Sequence, residues 1–280
     1  MNLIDAHVHV WTDDTARYPI APGFTRDPAW PASFTPAELF AHTQKAGVAR
    51  INLIQIRFYG FDNSYMLDAI AQHPGVFVGT AVIDPFAPKV ERTMGELGER
   101  GIRAFRIHPR LSKQPAASWL RPEGYIRMFD AGAKLRQVMS CLIDPDCIPE
   151  VDRMCSAYPD TPVVIDHLAR IGADGSIRQS DVNALCALAR HRSVYCKVGG
   201  FYALGKKQPP YAELAQLIQR VVAAFGPERC MWESDCPFQV QSPHTYEASL
   251  HLVRDRLEFL TAADKEWLLG RTAEKLFFQR

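Results

Sequence analysis

The sequence predicts an α/β protein folded as a single-domain (β/α)8 TIM barrel, and three observations carry that expectation. Eight short apolar or β-branched runs alternate with longer runs of helical periodicity from the first residues nearly to the last. This is the rhythm of a parallel sheet whose strands are joined by helices. So many units within about 250 residues favour closure into a barrel over a doubly wound open sheet. No GxGxxG turn follows the first strand, where a dinucleotide-binding open sheet carries its phosphate loop.

Taken in order, the first strand is read in IDAHVHV (4–10). Its two histidines, His7 and His9, stand two residues apart, so if one side chain faces the barrel interior both do. The stretch at about 11–35 is irregular, and its prolines and aromatics read as a packed loop over the barrel mouth. TPAELFAHTQKAG (35–47) opens on a cap-forming threonine and closes on glycine, the two boundary signals of a helix. The next strands are RINLIQI (50–56), VFVGTAVID (76–84) and IRAFRIHP (102–109), separated by the helical runs NSYMLDAIAQHPG and VERTMGELGERG. GYIRMFDAGAKLRQ then leads to the fifth strand, QVMSCLID (137–144), and PEVDRMCSAYP to the sixth, TPVVIDHLAR (161–170). SDVNALCALARHR precedes VYCKVGG (194–200), and PYAELAQLIQRVVAAFG precedes CMWESDCPF (230–238). Nothing in 1–280 marks a second domain: there is no repeat, low-complexity tract or Gly/Ser-rich linker.

Composition narrows the function classes. A formal charge of +1, with basic residues scattered rather than clustered, gives no electrostatic footprint for nucleic acid or an anionic membrane. The expected partner is a small molecule. The amino terminus lacks a basic and then apolar leader pattern, and no uncharged stretch is long enough to span a bilayer, so the expected location is cytoplasmic. Seven cysteines, with no CxxC pair, suit free thiols in a reducing compartment. The oligomeric state is open, a homo-oligomer included.

Barrel enzymes place their chemistry at the carboxyl ends of the strands. His7 and His9 lie late in the first strand, His167 ends VVIDH in the sixth, and Asp235 ends MWESD in the eighth. Imidazoles and a carboxylate so far apart in sequence meet only if the barrel closes as expected. Neutral imidazole and carboxylate together suit one divalent ion such as zinc, with His7, His9 and Asp235 as its ligands if one is bound. No GxSxG elbow occurs, which argues against a serine nucleophile.

The opening IDAHVHVW, the string VVIDHLAR, WESDCPF in place of a WGSDWP-like string and the closing LLGRTAEKLF together resemble the amidohydrolase superfamily, within it the amidohydrolase-2 group that includes lactone hydrolases. The resemblance spans nearly the whole chain. It implies catalytic roles for His7, His9, His167 and Asp235. Metal-dependent members add a lysine on the fourth strand or a histidine on the fifth, and IRAFRIHP and QVMSCLID carry neither there. Cys141 and His108 are the only nearby substitutes, and each is read as a core or rim residue. The same absences mark lactonases that work without metal. By that likeness no cofactor is required: Asp235 is the general base for water attack on a lactone, and the histidines polarise the carbonyl. The lactone would derive from a sugar acid or a carboxylated ring-cleavage product. The alternatives are a metal-dependent decarboxylase of an aromatic or enoic acid and a catalytically inactive ligand-binding barrel.

An anionic or polyhydroxylated substrate is suggested by Arg57, Arg106 and Lys197, with Arg110 a weaker candidate, because guanidinium groups clamp carboxylates through paired hydrogen bonds. Arg106 stands inside an apolar strand, where a charge without a purpose is costly. Glu233 replaces the glycine common in relatives and shares parity with Asp235, so it is expected to face inward and to pair with Arg106 or Lys197. Loops after the second, seventh and eighth strands offer Tyr202, Gln239 and His244 as further substrate contacts.

Overall fold

The structure, a computed structural model, describes residues 2–112 and 114–279. Eight strands follow one another around the barrel in chain order: β1 Leu3–Val8, β2 Val48–Ile54, β3 Phe77–Ala81, β4 Ile102–Ile107, β5 Val138–Cys141, β6 Val163–Ile165, β7 Val194–Val198 and β8 Cys230–Trp232. Each pairs in parallel with the next. The seam between β8 and β1 is closed beyond the end of β8. There the Asp235 N–H donates to the His7 carbonyl at 2.9 Å and the His9 N–H to the Cys236 carbonyl at 2.8 Å. The two bonds that shut the barrel therefore also seat Asp235 beside both histidines.

Helices cover the outside of the sheet. The first, α1 (Pro36–Ala46), shows why the boundary signals work: the Thr35 hydroxyl accepts from the Glu38 N–H, and the Glu38 carboxylate accepts from the Thr35 N–H. Gly47 ends it at φ 76°, a left-handed turn that a side chain would resist. Then come α2 (Ser64–Gln72), α3 (Val90–Glu99), the single turn α4 (Pro109–Ser112), α5 (Glu123–Leu135), α6 (Ile148–Ala157), α7 (Gln179–Ala187), α8 (Ala215–Phe225), α9 (Tyr246–His251) and α10 (Ala262–Glu266). All seven cysteines are free thiols. Among the described residues no helix is long and apolar enough to cross a membrane.

The amino-terminal half of the barrel is plugged by hydrocarbon: Ile4, Ala6, Val78, Ala104 and Met231 pack with Phe277 of the C-terminal segment. The closing run LLGRTAEKLF is helical, with wide π-type turns at Trp267–Arg271 and Glu274–Phe278. Above this plug the interior turns polar, because β1 changes phase. Its register against β2 shifts between Asp5 and Val8. Before the shift Asp5 looks outward, accepting from the Tyr246 hydroxyl at 2.8 Å; after it His7 looks inward, 3.1 Å from Lys197 Nζ. Such an irregularity re-aims side chains next to a site.

Most strands are shorter than the runs read for them, and in the sixth and eighth this bears on the site. β6 stops at Ile165 and β8 at Trp232, so His167 and Asp235 lie on turns past the strand ends. Both take the left-handed backbone conformation, φ 51° and 63°. For residues with a side chain this is sparsely populated space that surrounding contacts must enforce, and it recurs at functional sites.

Candidate active site

At the carboxyl rim, His7, His9, His167 and Asp235 converge. Asp235 Oδ1 lies 3.6 Å from His7 Nε2 and 3.4 Å from His9 Nε2, while Oδ2 lies 3.8 Å from His167 Nε2. The Tyr202 hydroxyl donates to Oδ2 at 2.7 Å. Arg106 reaches over from β4, with one terminal nitrogen 3.4 Å from His9 Nε2 and the other 3.4 Å from His167 Nε2. All of these but His7, which is fully buried, line a cavity of about 940 Å³, together with Arg57, His108, Arg110 and residues 21–25 of the early loop.

A second tier of charges supports the first. Lys197, fully buried, donates to Asp166 Oδ1 at 2.9 Å, and its Nζ lies 3.1 Å from His7 Nδ1. Asp166 also accepts from the Ser140 hydroxyl at 2.9 Å and lies 3.6 Å from Arg106 Nε. Glu233 faces inward, as its parity requires, but its partners are not the cations expected for it. Its Oε1 accepts from His167 Nδ1 at 2.5 Å, and its Oε2 is 3.0 Å from His7 Nδ1. Arg106 and Lys197 turn instead to Asp166, which sits beside them at the end of β6. The room for Glu233 comes from Gly199, where an added Cβ would lie 2.2 Å from the Glu233 side chain.

Electrostatics follows from burial and these pairings. Burial alone would raise the Asp235 carboxyl, yet the charge of His167, foremost among the imidazoles around it, outweighs burial and holds the group far below the carboxylate range. Burial likewise opposes charge on His167, but Glu233 and Asp235 hold its imidazolium above the ordinary range. His9 goes the other way: desolvation lowers it to about 4, so the ring is neutral. Its Nδ1 lies 2.8 Å from the Ile54 carbonyl and must carry the proton, leaving a lone pair on Nε2. Burial, then Asp235, pushes the Tyr202 hydroxyl up, so it stays a proton donor.

The donor set fits a divalent ion. His7, His9 and Asp235 each offer one atom within 4.8 Å of the others, and so do His7, His167 and Glu233. His7 Nε2 and Asp235 Oδ1 are buried without a hydrogen-bond partner. Two acceptors, His9 Nε2 and Asp235 Oδ1, face each other across 3.4 Å, an arrangement that calls for a cation or a proton between them.

Other residues read from the sequence lie elsewhere. Lys197 does not reach the cavity, because it is spent under His7 and Asp166. Arg57 is exposed at the mouth, stacked 5.0 Å over the Trp30 ring. His108 sits on the rim, where burial and then Arg106 lower it to about 4. Cys141 is buried in the apolar core, and burial pushes its thiol well above the ordinary range. Gln239 and His244 bond Tyr211, at 2.8 and 2.9 Å, and do not line the cavity. Asp166 escaped the sequence reading. Its one signal was an acidic residue closing the apolar run VVID, overshadowed by the histidine beside it.

A closed parallel barrel whose carboxyl rim gathers imidazoles, carboxylates and a guanidinium defines the amidohydrolase class of hydrolytic enzyme. The chain belongs to the amidohydrolase family Amidohydro_2, whose sequence pattern it matches over residues 4–279. It is 27% identical to a 2-pyrone-4,6-dicarboxylate hydrolase of Comamonas testosteroni over 84% of this chain and 76% of that one. It is 25% identical to a 4-sulfomuconolactone hydrolase of Rhizobium radiobacter, over 83% and 75% of the two chains. The structure of a probable 2-pyrone-4,6-dicarboxylic acid hydrolase from Acinetobacter baumannii with citric acid bound shares the fold, with a TM-score of 0.83, 23% identity and full coverage of both chains.

Proposed function

We propose that the protein hydrolyses a lactone, opening the cyclic ester by attack of water. The observation that carries this is the position of Asp235: an ionised carboxylate within 3.8 Å of three imidazole Nε2 atoms, at the floor of a cavity fit for a small molecule. Asp235 accepts the proton of the attacking water. The imidazolium of His167 and the guanidinium of Arg106 stand where negative charge develops on the carbonyl oxygen, and fixed cations in a dry site stabilise it. His7, braced by Lys197, and His9, braced by the Ile54 carbonyl, hold the water and the carbonyl in register. A lactone is an activated ester, so these side chains suffice in this reading. A divalent ion held by His7, His9 and Asp235 would polarise the carbonyl and acidify the water, and the proposal does not require it.

The lactone relatives named above support the reaction class. The test is acid release from a panel of lactones, followed with a pH indicator before and after chelator, beside metal analysis of the protein. Lactone opening that survives chelation is the expected result. Carbon dioxide release from aromatic or enoic acids, with no lactone opened, would replace the proposal with a decarboxylase.

A further inference from the structure

The cavity is larger than one ring needs. Its 940 Å³ lies at the upper end of the roughly 300–1,000 Å³ that pockets for drug-sized ligands occupy. Its polar lining is lopsided: Arg57, Arg106, Arg110 and Arg170 line it, against a single carboxylate, Asp235. Arg170 is paired with Asp144 at 3.2 Å, whereas Arg57 and Arg110 have no carboxylate partner among the described residues. Side-chain acceptors for sugar hydroxyls are few beside the four guanidiniums, and the free ones, Asp235 Oδ1 and His9 Nε2, belong to the reacting centre. His108 Nδ1 already accepts from the Arg110 N–H at 2.9 Å, and Asp235 Oδ2 from Tyr202.

The remaining wall is aromatic. Of the five large apolar side chains exposed on the described surface, Phe24 and Phe61, 42% and 47% exposed, both stand at this mouth. The segments that carry them are tied together. The Ala21 N–H donates to the Phe58 carbonyl at 2.8 Å, tying the early loop to the turn after β2. Gly60, at φ 56°, is tight against that loop: an added Cβ would sit 3.0 Å from Ala21 and 3.7 Å from the Phe24 ring. Rings left in water at a cavity lip are costly unless a ligand covers them.

We infer that the substrate is an anionic lactone bearing an apolar arm, its acid group met by the unpaired arginines and its arm laid against Phe24 and Phe61, and that a polyhydroxylated sugar lactone lacking both groups binds more weakly. This rests on the proposed lactone hydrolysis for its chemistry but not for its test, which reads binding alone. Isothermal titration compares two non-hydrolysable diacids, isophthalate and 5-phenylisophthalate, with galactonolactone as the sugar probe. The phenyl arm should tighten binding about tenfold, the scale of one well-placed aromatic contact. Phe24→Ala/Phe61→Ala, a change at exposed positions, should abolish that gain and leave isophthalate binding unaltered. Equal affinity for the two diacids, binding of neither, a phenyl gain that survives in the double variant, or preference for galactonolactone would each overturn the inference. Failure of lactone hydrolysis itself would appear separately, as diacid binding without acid release from any lactone.

Discussion

Replacing Lys197 by methionine removes one charge from the densest part of the molecule, and its cost can be worked out beforehand. Lys197 Nζ is 2.9 Å from Asp166 Oδ1, and both side chains are fully buried. Methionine fills nearly the same volume, so packing is largely conserved and the loss is electrostatic. Asp166 is then left with the Ser140 hydroxyl and, farther off, Arg106 Nε at 3.6 Å and His7 Nδ1 at 3.7 Å. Breaking a buried pair on one side costs about 3–5 kcal/mol, because a charge remains without its partner. Arg106 compensates in part, which places the expected loss near 3 kcal/mol, or roughly 6–12 °C in Tm for a domain of this size. Urea unfolding followed by circular dichroism measures it. Asp166→Asn in the same background should recover a substantial part, since no buried charge is then orphaned. A Lys197→Met protein within about 0.5 kcal/mol of the parent, or a double variant no better than the single one, would refute the view that this pair holds the floor of the site.

Two further outcomes follow from the same geometry. His9 is held neutral down to about pH 4, whereas the unfolded chain takes up a proton at its ordinary value of 6.5. Its contribution is complete above 6.5 and is lost as pH falls toward 4, about 3 kcal/mol in all; His108, also lowered to about 4, acts in the same sense. Stability measured across that window should fall with acid, and His9→Gln should flatten the slope by close to one proton. Gly199→Ala would drive a methyl to 2.2 Å from both the Glu233 side chain and its carbonyl oxygen. The expected cost is about 1–3 kcal/mol, together with at least a tenfold loss of turnover as Glu233 is pushed from His167. Thermal unfolding and steady-state kinetics check the two halves.

The barrel was legible because its signal is repeated eight times: each strand run survives in the structure, even where the strand itself is shorter. The convergence of His7, His9, His167 and Asp235 was legible for the same reason, since strand order and polarity fix which ends meet. What the sequence hid was pairing. Glu233 and Asp166 are both acids at the carboxyl rim, and a choice of partner between Lys197, Arg106 and the histidines depends on side-chain reach around the barrel, which periodicity does not encode. The phase change in β1 was hidden too, because an irregularity between Asp5 and Val8 leaves the spacing of His7 and His9 untouched. Lys197 looked like a substrate cation for want of that information.

The central claim is that the Asp235 carboxylate takes the proton of the attacking water. Its most direct test is the turnover of Asp235→Asn on a lactone that the parent protein opens, with circular dichroism run alongside. The amide keeps the size and can still accept from Tyr202, so the account predicts a folded protein with kcat lowered by about 10²–10⁴. A folded variant that opens the lactone at the parent rate would contradict it.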